Sequence, residues 1–284
     1  MQIGIGIPNS VRGTTGAQLL EWARRADAAG FSSLATIGAV SYPSYEELTV
    51  FAAAAAVTER VRFFPNVLIA PARSTAELAK QAATVQEISG GRLTMGLGVG
   101  WRESDYALTG RDFTARGRLF DEQLAGLRRA WAGEALVEGA RPAAPPTAGV
   151  PLLIGGSGDA AVRRVVEHGA GYTAGGTPPE VTAPMLERVR AAWRDAGREG
   201  TPRFAALAYF SLGDTEQRSR EYLLDYYQPM GDMAGTIAGS ALRTPEAIRG
   251  AIAAFADIGV DELVLDATVS DPEQVDLLAE VALT

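Results

Sequence analysis

Residues 90–106 read GGRLTMGLGVGWRESDY, and this stretch decides the fold. A Gly-Gly turn leads into a short apolar run, 93–99, and polar residues follow this run. The pattern predicts a strand with polar side chains at its carboxyl end. Three glycines along and just past the strand, Gly96, Gly98 and Gly100, leave side-chain room. Such room either admits a flat ligand close to the main chain or reflects a tight barrel interior that tolerates only small residues.

Similar apolar runs alternate with helical periodicities on both sides of this stretch. Regular alternation with short turns implies parallel strands. Eight such strands in 284 residues favour a single-domain (β/α)8 TIM barrel over residues 1–284, with a doubly wound open sheet as the competitor. The eight predicted strands are 3–7, 31–36, 61–68, 93–99, 151–154, 171–174, 204–210 and 262–265.

Local signals refine this prediction. The Gly96, Gly98 and Gly100 spacing does not meet the dinucleotide fingerprint, because the third glycine comes one residue early and no helix follows directly. Capping-box patterns at Thr15 with Gln18 and at Ser44 with Glu47 predict two helix starts. Residues 133–150 are rich in Ala, Pro and Gly, including Pro142, Pro145 and Pro146, and predict a surface insertion.

Composition excludes several functions. The net charge is -8 and no block of five like charges occurs, which argues against a nucleic-acid partner. No apolar run is long enough to span a membrane, and Met1 leads directly into a strand without a basic segment, so we expect a cytoplasmic protein.

Reactive residue types are scarce. The chain has no cysteine and one histidine, His168, and its one lysine is Lys80. A His-rich metal site, disulfides and thiolate nucleophiles are therefore excluded, and we expect no metal site. His168 falls at a predicted helix end and Lys80 in mid-helix, so neither is expected to act in catalysis. Chemistry must use carboxylates, tyrosines, arginines and backbone amides, or a bound cofactor.

Residues at the carboxyl ends of barrel strands line the site of such a fold. They include Asn9, Thr36, Asn66, Arg102, Glu103, Phe210 and Asp266. Glu103 follows the fourth predicted strand next to an arginine and is the candidate acid, base or substrate anchor. The alternative is a surface ion pair between Arg102 and Glu103.

Two glycine-rich turns follow later strands. Gly155, Gly156, Ser157 and Gly158 precede a predicted helix, so their backbone amides and the helix dipole can face an anion. Gly175-Gly176-Thr177 offers a second such turn. Ordinary turn glycines are the alternative interpretation.

The chain resembles the superfamily of bacterial luciferase-like flavin monooxygenases and F420-dependent reductases. Two segments carry the resemblance: 52–122, which runs from AAAAAVTERVRFFPNVLIAPARSTAELAK to GRLFDE, and 150–172, VPLLIGGSGDAAVRRVVEHGAGY. The resemblance covers nearly the whole chain. It implies a TIM barrel that binds FMN or F420 at the carboxyl end of the strands, usually in a dimer.

The resemblance also implies roles for individual residues. Asn66 and Val67 would form a non-prolyl cis peptide behind the cofactor ring, and Gly100 with Glu103 would approach the ring. The cofactor phosphate would be held by a larger set, namely Gly155, Gly156, Ser157, Gly158, Gly176 and Thr177.

One departure from the family pattern concerns proton transfer. Many relatives carry an Asp-His pair after the second strand, where this chain has residues 36–40, TIGAV, in a shortened loop. The usual Ala-Asp-Gly-Trp near the sixth strand is replaced by residues 169–172, GAGY. Either Glu103 or a tyrosine transfers the proton, or the substrate needs none.

The leading prediction is a flavin-type oxidoreductase acting on a small organic substrate. It would use reduced FMN and oxygen or hydride transfer with F420, and a separate reductase is a possible supplier of the reduced cofactor. The alternatives are a flavin-binding protein without turnover and a phosphate-binding barrel lyase or isomerase using Glu103.

Overall fold

Strands and helices alternate along the chain in this computed structural model, which describes residues 1–145, 147 and 149–283. The strands are β1 (Gln2–Gly6), β2 (Ser33–Thr36), β3 (Arg62–Pro65), β4 (Leu68–Ile69), β5 (Met95–Gly98), β6 (Leu152–Gly155), β7 (Gly171–Thr173), β8 (Arg203–Phe210) and β9 (Glu262–Ala267). The helices are α1 (Gly16–Ala29), α2 (Glu47–Ala55), α3 (Thr75–Ile88), α4 (Glu103–Leu108), α5 (Arg116–Trp131), α6 (Asp159–His168), α7 (Pro179–Asp195), α8 (Glu216–Tyr226), α9 (Met233–Ser240), α10 (Pro245–Asp257) and α11 (Glu273–Ala282). Short 3₁₀ turns cover Ala70–Ala72 and Gln228–Met230.

The nine strands form one parallel sheet that curls into a nearly closed barrel. Their order is β3-β2-β1-β9-β8-β7-β6-β5-β4, and a parallel bridge joins Phe63 of β3 to Leu93, which lies just before β5 near the other end of the sheet. The predicted (β/α)8 barrel is confirmed, with one difference in the strand count. The third predicted strand, 61–68, is interrupted at Asn66-Val67, and its two parts are β3 and β4.

The last strand is longer than predicted. It continues beyond Leu265 to Ala267, and Tyr209 of β8 pairs in register with Asp266 of β9. Both residues therefore lie in the sheet rather than in the loops above it. The described residues of the predicted insertion, 133–150, form neither helix nor strand, as expected, whereas Pro146 lies outside the described residues.

The barrel interior is filled in its middle and closed at its lower end. The middle is a compact apolar cluster of inward-facing side chains, Ala35, Phe64, Leu153, Ala205 and Val264. Glu262, two residues before Val264, lies below this cluster, where it is fully buried and pairs with Arg203. Ser33 donates a 2.7 Å hydrogen bond to the same carboxylate. The carboxyl end of the strands, where barrels of this type bind their ligands, lies at the opposite end.

The helices pack against the outer faces of the strands and bury the larger part of the core. Trp22, Trp131 and Trp193 are 0%, 4% and 4% exposed, as their helical spacing predicts. None of the helices in the described part of the chain is long and apolar enough to cross a membrane.

Helix starts agree with the sequence at α1 but differ at α2. At α1 the Thr15 hydroxyl accepts from the Gln18 amide, and the Gln18 side chain accepts from the Thr15 amide. The Ser44 prediction is wrong, because the Glu46 carboxylate takes the capping role by accepting from the Thr49 amide at 2.7 Å. The hydroxyl of Ser44 instead contacts the carbonyl oxygens of Ala39 and Tyr42.

Removal of the α1 cap is expected to have a modest effect. Thr15→Ala should lower the free energy of unfolding by about 1 kcal/mol, because one helix N–H loses its acceptor. Urea unfolding of the variant and the parent protein measures this difference. Thr15→Ser keeps the hydroxyl and should stay within about 0.5 kcal/mol of the parent; equal losses in both variants would contradict the capping role.

Candidate functional site

Asn66 and Val67 lie at the floor of the barrel mouth, between β3 and β4. The peptide bond that joins them is cis, as the family resemblance implies. The Thr173 hydroxyl donates a 2.7 Å hydrogen bond to Asn66 Oδ1, whereas Asn66 Nδ2 is buried and has no partner among the described residues. Val67 is half-buried, so part of this residue is accessible at the mouth.

Glycines of β5 and β6 pack around Val67. A Cβ atom added to Gly98 would lie 2.9 Å from Val67 Cγ2, and one added to Gly155 would lie 3.2 Å from Val67 Cγ1. Just beyond β5, Gly100 has a positive φ of 66°, and an added Cβ would lie 2.9 Å from Ile69 Cγ2. These three glycines therefore keep the wall around Val67 flat.

Gly96 has a different function from its two neighbours. An added Cβ there would lie 2.8 Å from Phe64 Cε2 in the packed barrel interior. The interior-packing interpretation therefore applies to Gly96, whereas Gly98 and Gly100 lie against Val67 and Ile69 at the mouth.

The turn after β6 has the features of an anion-binding loop. Gly156, Ser157 and Gly158 are exposed, and Gly156 has a φ of 133°, which disfavours any residue with a side chain. The backbone amides of Ser157 and Gly158 donate to no described backbone group. Helix α6 begins directly after this turn, so its positive dipole end faces the same space.

Arg188 is a residue near this loop that the sequence did not reveal. It lies on α7 and forms an ion pair with the carboxylate of Asp159, the first residue of α6. The pairing brings a half-exposed guanidinium beside the loop and offsets the acidic charge at the start of α6. No signal in the sequence links the two positions, because they lie 29 residues apart.

The turn after β7 lies beside the β8 wall. Gly175, Gly176 and Thr177 are exposed, and a Cβ added to Gly176 would lie 3.5 Å from the Tyr209 ring. The Thr177 and Thr182 hydroxyls are 2.9 Å apart, which fixes the Thr177 side chain on the start of α7.

The polar residues after β5 separate into a buried cation and an exposed carboxylate. Arg102 is 6% exposed, and its guanidinium carbon lies 4.5 Å from the Trp101 ring centroid and 4.2 Å from that of Tyr226. It also donates to the Tyr226 carbonyl oxygen. Glu103 is the exposed first residue of α4 and forms no ion pair with a described residue. The alternative of a surface Arg102–Glu103 pair is therefore wrong.

Tyrosines from β8 and α8 form a cluster above the mouth, which we call the tyrosine roof: Tyr209, Tyr222, Tyr226 and Tyr227. The Tyr209 and Tyr227 hydroxyl oxygens are 2.5 Å apart, and the Tyr227 ring stacks on Trp101 at 6.2 Å between centroids. Burial raises the pKa of Tyr209 and Tyr222 well above the ordinary value and that of Tyr227 to about 12. All four tyrosines are therefore neutral at physiological pH. The cluster was missed because Tyr226 and Tyr227 fit an ordinary helix end and Tyr209 an ordinary strand.

Asp266 lies in the same part of the mouth, beneath the tyrosine roof. It is 2% exposed, and burial raises the pKa of its carboxyl well above the ordinary value. Its carboxyl hydrogen-bonds to no described residue and occupies the space above Gly6, where any added Cβ would collide with it. The sequence places Asp266 at a strand end but does not show that it is buried.

The loop after β2, which lacks the Asp-His pair of the family pattern, is held by a carboxylate. Asp105 Oδ1 accepts hydrogen bonds from the Ser41 amide at 2.7 Å and from the Val40 amide at 3.0 Å. Tyr42 packs edge-on against Tyr226 and donates to Asp225 at 2.7 Å. A cavity of 460 Å³ opens beside this loop, between Tyr42 and Arg73.

The chain's one histidine and its one lysine lie away from the mouth. His168 is the last residue of α6, at the opposite end of the barrel, where it lines a surface cavity with Pro151 and Leu152 at the start of β6. Lys80 is exposed in the middle of α3. Among the described residues, no three His, Asp or Glu side chains lie together as metal ligands.

The Thr173 hydrogen bond provides a test of the mouth's packing. Thr173→Val should lower the free energy of unfolding by about 1–3 kcal/mol, because it leaves the buried Asn66 amide without its described partner. Urea denaturation measures the change. Thr173→Ser keeps the hydroxyl, so it should lose no more than half of the unfolding free energy that Thr173→Val loses. If the two variants are equally destabilised, the hydrogen bond does not stabilise the mouth.

Comparison with known proteins gives a family and two close fold matches. The model of the luciferase-like monooxygenase family matches residues 1–281. An uncharacterised protein of Mycobacterium tuberculosis is 30% identical over 206 residues, which cover 62% of this chain and 71% of that protein.

Two solved structures share the fold. The monooxygenase RslO1 from Streptomyces bottropensis superposes with a TM-score of 0.80 at 22% identity, over 100% of this chain and 99% of that one. An F420-dependent secondary alcohol dehydrogenase in complex with an F420-acetone adduct superposes with a TM-score of 0.81 at 19% identity, over 99% and 98% of the two chains. Because the family match extends from β1 into α11, the chain belongs to the luciferase-like monooxygenase family and is an oxidoreductase of that class.

Proposed function

We propose that this enzyme binds FMN or F420 at the carboxyl end of its barrel and transfers electrons between that cofactor and a small organic substrate. The observation that carries the proposal is the flat wall formed by Val67, Gly98 and Gly155 at the floor of the mouth. A planar ring can approach the main chain only where side chains are absent. The unpaired Asn66 Nδ2 supplies a buried hydrogen-bond donor at the same place.

The ring and the phosphate of the cofactor would occupy different parts of the mouth. Asn66, Val67 and Gly100 would lie against the ring. The free amides of the β6 turn support a phosphate site formed by Gly155, Gly156, Ser157 and Gly158, with Gly176 and Thr177 on the neighbouring turn. Arg188 would add a cationic group beside that site.

The bound cofactor would supply the electron pair, and reduced FMN would in addition react with oxygen. The chain itself would position the ring, exclude water with the tyrosine roof and bind the substrate. Glu103 is exposed at the rim, beside the Trp101–Arg102 stack, where we propose that it binds the substrate or exchanges a proton with it. The expected homodimer, partner reductase and cytoplasmic location remain predictions.

Titration of the purified protein with FMN and with F420 tests this proposal. We expect one of the two to bind with a dissociation constant in the micromolar range or tighter, which corresponds to about -8 kcal/mol or better. Binding is measured from the difference absorption spectrum and from quenching of cofactor fluorescence. If neither cofactor binds and a sugar phosphate stabilises the fold instead, the lyase or isomerase alternative is favoured.

Reoxidation kinetics separate the two cofactor chemistries. With reduced FMN, oxygen consumption that depends on an added organic substrate would identify a monooxygenase. With F420, substrate-dependent oxidation of the reduced cofactor under nitrogen would identify a hydride-transfer enzyme. A protein that binds a cofactor but shows neither response across a substrate panel would be a binding protein without turnover.

A further inference from the structure

Asp266 is an inward-facing carboxyl at the mouth to which the proposed function assigns no role. Its position follows from strand alternation. Glu262 and Val264 of β9 point into the barrel, at the lower end and in the middle, and Asp266 follows at the same two-residue spacing. The side chain therefore points inward, one layer above the apolar middle of the barrel.

The Asp266 carboxyl is buried and has no polar partner among the described residues. No described residue donates a hydrogen bond to it or forms an ion pair with it, and burial is the cause that raises its pKa. The titratable groups that face it are the hydroxyls of Tyr209 on the adjacent strand and of Tyr222 and Tyr227 in the roof. Burial raises the pKa of these tyrosines, so they are neutral at physiological pH and place no positive charge beside the carboxyl.

The tyrosine hydroxyls are engaged with other partners. Tyr209 and Tyr227 hydrogen-bond to each other at 2.5 Å, and Tyr222 hydrogen-bonds to the hydroxyl of Ser10 at 2.5 Å. Each of these hydroxyl oxygens therefore has a partner other than Asp266, and a proton on the Asp266 carboxyl would have no acceptor among the described residues. Gly6 leaves the space that this carboxyl occupies, since a side chain at position 6 would collide with it.

We propose that Asp266 is the proton donor of the mouth and acts on a substrate whose carbonyl group accepts an electron pair. This role rests on the proposed function, because reduced FMN or F420 is the hydride donor. The hydride forms a C–H bond at the carbonyl carbon, the C=O π electrons move to oxygen, and that oxygen takes the carboxyl proton of Asp266. Asp266 is left as a carboxylate and regains a proton from solvent, while the cofactor is oxidised by two electrons.

The donor role accounts for the missing imidazole. The chain's one histidine lies at the far end of the barrel, so no imidazole can deliver a proton to the mouth. A buried carboxylic acid that stays protonated at neutral pH can perform the same task. The substrate class that follows is a ketone or aldehyde, whose reduction to an alcohol takes up one hydride and one proton.

Infrared spectroscopy of the cofactor-free protein tests the protonation state directly. At pH 7 the parent protein should show a carboxylic acid C=O band that is absent from Asp266→Asn. The matched control, Asp257→Asn, removes an exposed carboxylate at the end of α10 and should keep the band. If the parent and Asp266→Asn show identical spectra in the region where protonated carboxyl groups absorb, Asp266 is ionised and the proposal is overturned.

Anaerobic turnover with the bound cofactor and benzaldehyde as the electron-accepting probe tests the donor role. Asp266→Asn should lower kcat about 100-fold while the cofactor dissociation constant and the KM for benzaldehyde change less than threefold. Asp266→Glu should restore part of kcat and shift the alkaline limb of its pH profile. Parent-like kcat in Asp266→Asn at every pH would overturn the donor role alone, whereas failure of the parent protein to bind either cofactor would overturn the proposed function and the donor role together.

Discussion

Ser157→Asp is expected to weaken binding of the phosphorylated cofactor about 100-fold. The new carboxylate would lie on the turn whose free amides face the proposed phosphate, beside the start of α6. Repulsion between two charges about 5 Å apart at an effective dielectric constant near 20 costs about 3 kcal/mol, which is a hundredfold in affinity. Ser157 is exposed, so the folded protein should be as stable as its parent.

Comparison of FMN with riboflavin isolates the phosphate contribution. Riboflavin shares the ring but lacks the phosphate, so its affinity should be nearly equal in the parent and in Ser157→Asp. Thr201→Asp adds the same charge to an exposed loop before β8, at the opposite end of the barrel, and is the matched control. An equal loss of affinity for FMN and riboflavin, or an equal loss in Thr201→Asp, would contradict a phosphate site at Ser157. If F420 is the cofactor, its phosphate-free deazaflavin core replaces riboflavin.

Asp266→Asn is expected to stabilise the fold increasingly as pH rises. In the unfolded chain the Asp266 carboxyl ionises near pH 4, whereas in the folded protein burial raises its pKa, so folding takes up a proton above pH 4. The parent therefore loses about 1.4 kcal/mol of stability per pH unit from this group between pH 5 and the folded-state pKa. Asparagine does not titrate, so the variant lacks this loss.

Urea unfolding of both proteins from pH 4 to pH 8 measures this linkage. The difference in unfolding free energy, Asp266→Asn minus parent, should rise with pH at up to about 1.4 kcal/mol per unit and then level off. Asp257→Asn should show no such slope, because Asp257 is exposed. A flat difference across the range would mean that Asp266 is ionised in the folded state.

The fold was predictable because local patterns agree with the global architecture. The alternation of apolar runs with helical periodicities specified the parallel barrel, and the Thr15–Gln18 pattern located the start of α1. Two local predictions were wrong because they depended on features that the sequence pattern does not reveal. Ser44 was expected to cap α2, but the longer Glu46 carboxylate reaches the amide of Thr49. Likewise, the interruption of the third strand at Asn66-Val67 has no signature in apolar spacing.

The site was predictable only in its main-chain part. Glycine-rich turns such as 155–158 are visible in a sequence because conformational freedom belongs to the residue itself. The tyrosine roof, the Arg102 stack and the ion pair of Arg188 with Asp159 depend on contacts between elements far apart in the chain. The burial of Asp266 depends in the same way on neighbouring strands and on Gly6, so its raised pKa has no local signal.

A crystal structure of the protein with bound FMN or F420 would test the central claim most directly. We predict density for the ring against Val67 and the Gly98–Gly155 wall, and density for the phosphate within hydrogen-bond distance of the Ser157 and Gly158 amides. A ring bound elsewhere, or a phosphate held by other groups with these amides facing solvent, would contradict the proposed cofactor site.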